Sequence, residues 1–362
     1  MKPFTYDALP GRVVFGAGSS RSQLGPEIDR MGVQRVLLLV SERERPGAEV
    51  LTQPFGERVV GIFSAVRPHV PIEVAEQART MARDLQADSI LAIGGGSAIG
   101  TAKAIALELN LPIIAIPTTY AGSEMTPIYG LTTMQRKQTG RSLAVLPKLV
   151  LYDPELTFSL PAHISGPSAI NAIAHCVEAF YGPGANPISS LIAEEGLRAL
   201  ADGVPVVVAQ PNDLAGRTTT LYGAYLAGAA LAAAGTGLHH KICHVLGGAY
   251  NLPHADLHTV MLPQVVAFLE PAIPAIMRRM GRALRANEQT TAAALHDLAV
   301  RIGAPTALKE IGMCAEDLEP AVTRILEYVP HDPVRPINTT NIRAILDSAF
   351  LGHSPPIEVH EA

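Results

Sequence analysis

The N-terminal part of the chain alternates short, continuous apolar runs with amphipathic segments. Arg35–Val40, Ser89–Ile93 and Ile113–Pro117 have the length of strands and lack polar alternation, which is typical of strands covered on both faces. The segments Gln23–Met31, Ile72–Leu85 and Ala98–Glu108 between such runs have helical character. Because strands and helices alternate, the pattern predicts a parallel α/β sheet. Further strands are predicted at residues 12–16, 58–63 and 145–152.

The pattern changes after Asp153. Strand-like runs almost disappear, and Ala- and Leu-rich helical segments follow one another, with Gly and Pro at their ends. We therefore predict an α/β domain at residues 1–153 and an all-helical domain at residues 154–362, each large enough for its own core. Helices are predicted at residues 167–180, 188–201, 214–234, 240–247, 259–269, 273–284, 290–302, 318–328 and 341–351.

Composition and charge narrow the class of protein. The 362 residues are 48% hydrophobic and 17% charged, as in a well-packed globule, and the net charge of −5 gives no basis for binding nucleic acid. The N-terminus lacks the order of a signal peptide, and no uninterrupted apolar run is long enough to span a membrane. The three cysteines lack CxxC spacing, which suggests free buried thiols in a reducing compartment. We expect a cytoplasmic protein without nucleic-acid or membrane partners.

Five of the twelve histidines lie in one stretch, GLHHKICHVLGGAYNLPHADLH. His240 and His244 are four residues apart and share a helix face, as do Asn171 and His175 in an otherwise apolar helix. His254 falls in a predicted loop. Any one of these histidines could be an ordinary core or capping residue. Together they predict a polar site between helices.

A glycine run follows the buried strand at residues 89–93 and opens the next helix. Glycines allow close approach of a diphosphate, and the N-terminus of the helix favours an anion. The spacing is not GxGxxG, so the usual dinucleotide fingerprint is absent, and tight turns also use glycine. Two threonines follow the next strand at the same edge of the sheet. The predicted phosphate-binding edge comprises Gly94, Gly95, Gly96, Ser97, Thr118 and Thr119.

The strand at residues 35–40 ends in Ser41-Glu42-Arg43. In dinucleotide-binding folds this position meets the adenosine ribose, where an acidic residue would repel a 2′-phosphate. Ser41 carries no such charge. We therefore expect NADPH to be accepted beside NADH.

Taken together, these segments resemble the iron-type (group III) alcohol dehydrogenases over nearly the whole chain. The most telling pieces are GGGSAIGTAKAIA (94–106), PTTYAGSEMTPIYG (117–130), NAIAHCVEAFYG (171–182) and LHHKICHVLGGAYNLPHA (238–255). The resemblance implies an N-terminal dinucleotide-binding domain and a C-terminal all-helical domain, as in dehydroquinate synthase-like folds, with the active site in the cleft between them. It also implies a homodimer, and it is strongest to a reductase branch of the family.

The resemblance assigns roles by position. Pyrophosphate binding falls on Gly95, Gly96 and Ser97, and the ribose and nicotinamide end on Thr118, Thr119 and Thr126. The metal-binding positions of the alcohol dehydrogenases fall on Asn171, His175, His240 and His254. Because Asn171 replaces an aspartate, the anionic ligand is missing. The three histidines can still hold Zn²⁺ or Fe²⁺, but we expect catalysis without a metal.

The implied substrate is an enone flanked by two carboxylates. Hydride from the nicotinamide would add to the alkene carbon remote from the ketone and give an enolate, which needs less stabilisation than an alkoxide. His244 is the predicted acid, His240 and His254 donate to the oxyanion, and Asn171 orients them. Lys241 is a candidate for binding a substrate carboxylate, although a lysine on a helix surface can equally lie outside the site.

Three alternatives remain open. A metal-dependent alcohol or aldehyde dehydrogenase on the same fold would lose activity with a chelator. A dehydroquinate synthase would use bound NAD and Zn²⁺, but Asn171 and the scarcity of cations for a phosphate substrate argue against it. A nucleotide-sensing protein without enzymatic activity would bind nucleotide without turnover, and the histidines would then be surplus.

Overall fold

The structure, a computed structural model, describes residues 3–9, 11–133, 136–286 and 288–355. It divides into two compact units: Ala8–Leu160, here called the sheet unit, and the described residues of segments 1–7 and 161–362, here called the helical unit. The division falls after Leu160 instead of the predicted Asp153. The reason is that Leu156 packs against the core of the sheet unit, so the intervening turn stays with the sheet.

A parallel sheet forms the centre of the sheet unit. The strands among its described residues are β1 (Arg12–Phe15), β2 (Val36–Leu39), β3 (Val59–Phe63), β4 (Ser89–Gly94), β5 (Ile113–Pro117), β6 (Ile128–Thr133), β7 (Arg136–Arg141) and β8 (Leu149–Tyr152). Six of them pair in the order β1-β8-β5-β4-β2-β3, all parallel. Every residue of β2, β4, β5 and β8 is buried, as their continuous apolar sequences predict. The predicted parallel α/β sheet is confirmed.

Strands β6 and β7 form a separate antiparallel hairpin. No strand was predicted there, because this polar segment lacks an apolar run. The helices of the unit are α1 (Ser19–Met31), α2 (Arg45–Thr52), α3 (Ile72–Asp84) and α4 (Gly96–Leu109). Of these, α2 was not predicted.

The order of the strands reverses between β2 and β4. These strands are neighbours, but the chain leaves β2 towards β3 on one side and leaves β4 towards β5 on the other. In open α/β sheets, ligands bind beyond the carboxyl ends of the strands at such a switch point. The fold therefore directs attention to the loops that follow β2, β4 and β5.

The helical unit is all α in its described residues, which confirms the predicted class. Its helices are α5 (Ala162–Ala179), α6 (Pro187–Ala209), α7 (Leu214–Ala234), α8 (Leu238–Tyr250), α9 (His254–Leu269), α10 (Pro274–Ala283), α11 (Thr291–Arg301), α12 (Leu318–Tyr328) and α13 (Thr339–Leu351). Helix α5 is buried along most of its length and packs against α6, α7 and α9. Its few polar side chains are therefore held inside the unit.

Three details refine the sequence-based picture. The prediction of a loop at His254 is wrong, because His254 is the first residue of α9, and Pro253 is at the N-cap position. All three cysteines are free, but Cys314 is exposed, whereas Cys176 and Cys243 are buried. In the described part of the chain no single helix is long and apolar enough to cross a bilayer. Helices α7 and α8 reach that length and apolar character only together, and they meet at a bend of 100°.

Candidate active site

Six histidines gather where α5, α8 and α9 meet. We call His175, His239, His240, His244, His254 and His258 the histidine cluster. The ring centroid of His240 lies 4.8 Å from that of His175, 4.5 Å from that of His258 and 6.1 Å from that of His244. His254 lies 4.4 Å from His258 by the same measure. The structure thus brings together the predicted histidines of three helices, and the i,i+4 pairs of α5 and α8 both contribute.

The histidine cluster has a buried part, here called the floor, and an exposed edge. His175, His239, His240 and His258 are buried, whereas His244 and His254 are exposed. Burial, and then the neighbouring histidines, lower the pKa of His175 and His258 well below the usual range and that of His239 to about 3. These three rings are therefore neutral, with one donor and one acceptor nitrogen each.

Glu178 is a member of the site that the sequence analysis missed. Its carboxylate accepts from Nδ1 of His240 at 2.6 Å, and from the backbone N–H groups of Gly237 at 2.8 Å and His240 at 3.2 Å. Burial raises the pKa of Glu178, but the charge and hydrogen bond of His240 outweigh burial and lower it to about 2. The carboxylate is ionised and fixes His240, so that only Nε2 of this ring can face a ligand. Its position three residues after His175 on α5 was the available signal.

Several buried polar atoms of the site lack a partner. Among the described residues these include Oδ1 of Asn171, Nδ1 of His175, Nε2 of His240 and Nε2 of His258. In contrast, Nε2 of His239 and Nδ1 of His258 lie 2.7 Å apart and share a hydrogen bond. An unpaired buried polar atom costs about 1–3 kcal/mol. Several of them together indicate a site that a ligand completes.

The donor set fits a divalent cation in its chemistry. Neutral imidazole nitrogens suit Zn²⁺ or Fe²⁺, and the carboxylate of Glu178 behind His240 repeats the second-sphere arrangement of many zinc sites. Within the described residues, one group of possible ligands, His239, His240 and His258, has its atoms within 4.8 Å of one another. This group differs from the predicted ligands His175, His240 and His254. Within this group, His239 and His258 are hydrogen-bonded to each other. Asn171, which stands outside the group, supplies no negative charge for a cation.

The glycine run lies at the C-terminal end of β4 and the start of α4. Gly94 has a φ of 147°, and a Cβ there would lie 3.0 Å from Cβ of Ala98. A Cβ on Gly95 would lie 2.9 Å from Cγ2 of Thr119. By contrast, nothing lies within 4 Å of a Cβ on Gly96. The loop is therefore tightly packed at Gly94 and Gly95 and open around Gly96, the first residue of α4, where a helix N-terminus favours an anion.

Ser41 and Thr118 meet at a carboxylate that the sequence analysis did not consider. The hydroxyl groups of Ser41 and Thr118 donate to Glu44 at 2.8 Å and 2.7 Å. These two residues follow β2 and β5, on either side of β4. The structure thus places three of the predicted nucleotide-binding residues, Ser41, Gly94 and Thr118, around one acidic side chain.

Thr126 has a different environment from the other predicted nucleotide-binding residues. It is buried, and its hydroxyl group accepts from Nζ of Lys103 at 2.9 Å and donates to the carbonyl of Ser123 at 3.1 Å. The same ammonium group donates to the carbonyls of Ser123, Thr126 and Ile128 at 2.6–2.8 Å. Lys103 on α4 thereby fixes the segment before β6. Burial lowers its pKa to about 7, against the opposing effect of Glu124.

We expect Lys103→Met to lower the free energy of unfolding by about 3–5 kcal/mol, because it leaves buried carbonyl groups without a donor. Urea denaturation followed by circular dichroism measures the effect. The matched control is Lys148→Met, at an exposed lysine of the same unit, which should shift the midpoint very little. Equal midpoints for the two variants would contradict the role assigned to Lys103.

Lys241 lies half-buried on α8, one residue from His240, and therefore projects about 100° round the helix from it. Its assignment to a substrate carboxylate stays a prediction. Arg335 is another cation of the helical unit. Its guanidinium group lies 4.5 Å from the ring centroid of Phe268 and donates to the carbonyl of that residue. Arg335 is thus held by the protein itself.

Two family models match this chain. Residues 10–154 match the family model "Iron-containing alcohol dehydrogenase", and residues 167–350 match "Fe-containing alcohol dehydrogenase family, C-terminal". The chain therefore belongs to the iron-containing alcohol dehydrogenase family and is an oxidoreductase. The relatives include a maleylacetate reductase of Burkholderia cepacia, 47% identical over 98% of this chain and 100% of the relative.

Solved structures extend the similarity to three dimensions. The maleylacetate reductase of Agrobacterium tumefaciens is 44% identical, with a TM-score of 0.94 over 98% of this chain and 100% of that one. A 1,3-propanediol oxidoreductase is more distant, at 26% identity and a TM-score of 0.88 over 96% and 100% of the two chains. The resemblance to the reductase branch is confirmed.

Proposed function

We propose that the protein is a maleylacetate reductase, which uses NADH to reduce the carbon–carbon double bond of maleylacetate and forms 3-oxoadipate. The observation that carries the proposal is the neutral, buried histidine floor with unpaired nitrogens next to Asn171, in place of a carboxylate-bearing metal site. The near full-length similarity to maleylacetate reductases supports it.

The reaction needs one hydride and one proton. A nicotinamide dinucleotide held at the predicted phosphate-binding edge would supply the hydride to the alkene carbon remote from the ketone, and the electron pair of the double bond would move to give an enolate. A proton added to the carbon next to the ketone completes the product, and NAD⁺ is released. Because the negative charge of an enolate is delocalised, hydrogen-bond donors can stabilise it.

Within the site, His240 is the best-placed donor to the enolate oxygen. Glu178 accepts from Nδ1 of His240, which orients the ring so that Nε2 faces the site and places a carboxylate beside any positive charge that develops on it. His254 lies at the N-terminus of α9, where the helix dipole favours an anion. His244 is exposed at the edge of the cluster and can exchange protons with water, which suits a general acid.

A divalent ion held by the predicted ligands His175, His240 and His254 would supply Lewis-acid stabilisation of the same oxygen. We expect that it is not needed. Protein stripped with EDTA should still oxidise NADH in the presence of maleylacetate, at a rate close to that of untreated protein, as followed by NADH absorbance. Metal analysis of the stripped sample is the control.

The chelator experiment also separates the main alternative. A metal-dependent alcohol dehydrogenase is favoured by the nitrogen donors of the cluster, which suit Zn²⁺ or Fe²⁺. If turnover returned only on adding one of these ions, Asn171 would act as a ligand. Absence of maleylacetate turnover under both conditions, with metal-dependent alcohol oxidation, would replace the proposed function by this alternative.

From the resemblance we further propose a cytoplasmic homodimer that acts in the catabolism of aromatic rings. Its partners would be small dicarboxylates and the nucleotide, without nucleic acid or membrane. The mass of the particle in solution, measured by light scattering, tests the dimer.

A further inference from the structure

The carboxylate of Glu44 occupies the switch point of the sheet. Glu44 follows β2, and its two oxygens accept from Ser41 at 2.8 Å and from Thr118 at 2.7 Å. Oε2 would lie 3.1 Å from a Cβ on Gly94. The side chain thus extends from the end of β2, over the end of β4, to the loop after β5.

The local backbone fixes this position. The N–H groups of Glu44 and Arg45 donate to the carbonyl of Ser41 at 3.0 Å and 2.9 Å, which closes a turn directly after the strand. The carbonyl of Glu44 then accepts from the N–H of Ala48 at 3.1 Å in α2. Because the turn and the two hydroxyl groups hold it, the carboxylate is a fixed part of the ligand-binding edge.

A carboxylate here has consequences for the nucleotide. Each oxygen of Glu44 accepts a hydrogen bond from one hydroxyl group and keeps a lone pair that can accept a second hydrogen bond. A ribose with two free hydroxyl groups can donate to it, whereas a phosphate on the ribose would bring a second negative charge next to it. Ser41 alone carries no charge, so the sequence-based expectation of NADPH acceptance left this anion out.

We propose that Glu44 selects NADH against NADPH, by accepting a hydrogen bond from the adenosine ribose and repelling a 2′-phosphate. The proposal rests on the proposed use of a nicotinamide dinucleotide and names the residue that sets the preference. Like charges a few ångströms apart in a partly solvated site correspond to a preference of about 100-fold in kcat/KM for NADH.

Glu42 is the carboxylate against which Glu44 can be compared. It is two residues earlier and exposed, and it accepts a hydrogen bond from Ser64, beyond the edge strand β3. Glu42 therefore has a similar charge and sequence position but contacts neither Thr118 nor the glycine run through any hydrogen bond of the described residues. It supplies the matched control.

The test compares the wild type, Glu44→Gln and Glu42→Gln, with kcat/KM measured for both nucleotides at saturating maleylacetate. The wild type should prefer NADH by about 100-fold, and Glu44→Gln should lower that ratio at least 10-fold, mainly through a lower KM for NADPH. Glu42→Gln should leave the ratio unchanged within about 2-fold. A third variant, Glu44→Asp, keeps the charge and should retain the preference for NADH.

Equal use of both nucleotides by the wild type would overturn the proposal, as would an unchanged ratio in Glu44→Gln. Dissociation constants of NADH and NADPH, measured by calorimetry on the same variants, keep the test independent of the substrate. Lack of turnover with maleylacetate, together with selective binding of NADH, would count against the proposed function and leave the role of Glu44 intact.

Discussion

Replacement of His244 by glutamine is expected to lower turnover by about 10²–10⁴-fold, with little change in the affinity for NADH. His244 is exposed, and its ring centroid lies 6.1 Å from that of the buried His240. Glutamine retains hydrogen-bonding groups but cannot transfer a proton, so the loss should appear in kcat. Steady-state kinetics and an NADH binding titration measure the two quantities separately.

A suitable control is His163→Gln. His163 is an exposed histidine at the opposite end of α5 from His175, and its replacement should leave kcat unchanged. If His244→Gln retained wild-type turnover, His244 would have no part in the proton transfer, and the exposed His254 would become the candidate acid.

The Glu178→Gln variant should reduce kcat by about 100-fold, again with little effect on the KM for NADH. The amide supplies no negative charge beside His240, and its NH₂ group would face one of the three donors that Glu178 now satisfies. Glu195→Gln, at an exposed position on α6, is the control. Unchanged kcat in Glu178→Gln would contradict the positioning role.

The pH dependence of stability gives a second measure for Glu178. The pKa of Glu178 is about 2 in the folded protein, compared with an ordinary value of 4.5 for a glutamate. The carboxylate therefore contributes its full stabilisation above pH 4.5, and this contribution is lost as the pH falls towards 2. The Gln variant should lack this part of the acid-induced decrease in the free energy of unfolding.

How far the sequence predicts the fold depends on what each segment buries. Runs such as Ile113–Pro117 are apolar throughout because both faces of the strand are covered, so their sequence alone reveals them. The hairpin of β6 and β7 has no such run, and its pairing depends on contacts between segments that no local pattern records. The helices of the second unit were predictable from a different local signal, which is Ala- and Leu-rich segments with Gly and Pro at their ends.

The site shows a similar division. Spacing on a helix correctly brought His240 and His244 to one face, because that relation is local. Glu178 and Glu44 were missed because their partners are distant in sequence: Glu178 bonds a ring 62 residues away, and Glu44 a hydroxyl 74 residues away. Thr126 is the opposite case. Its motif suggested a ligand contact, but in the fold its hydroxyl group accepts a hydrogen bond from Lys103.

The unpaired polar atoms of the histidine cluster also link catalysis to the lifetime of the protein. A core that leaves Asn171, His175, His240 and His258 short of partners makes the helical unit less stable than its packing alone would allow. A ligand that satisfies these atoms binds only the folded chain and shifts the folding equilibrium towards it. We therefore expect bound substrate to raise the free energy of unfolding and to slow degradation of the enzyme, so that its concentration would follow the supply of the compound it consumes.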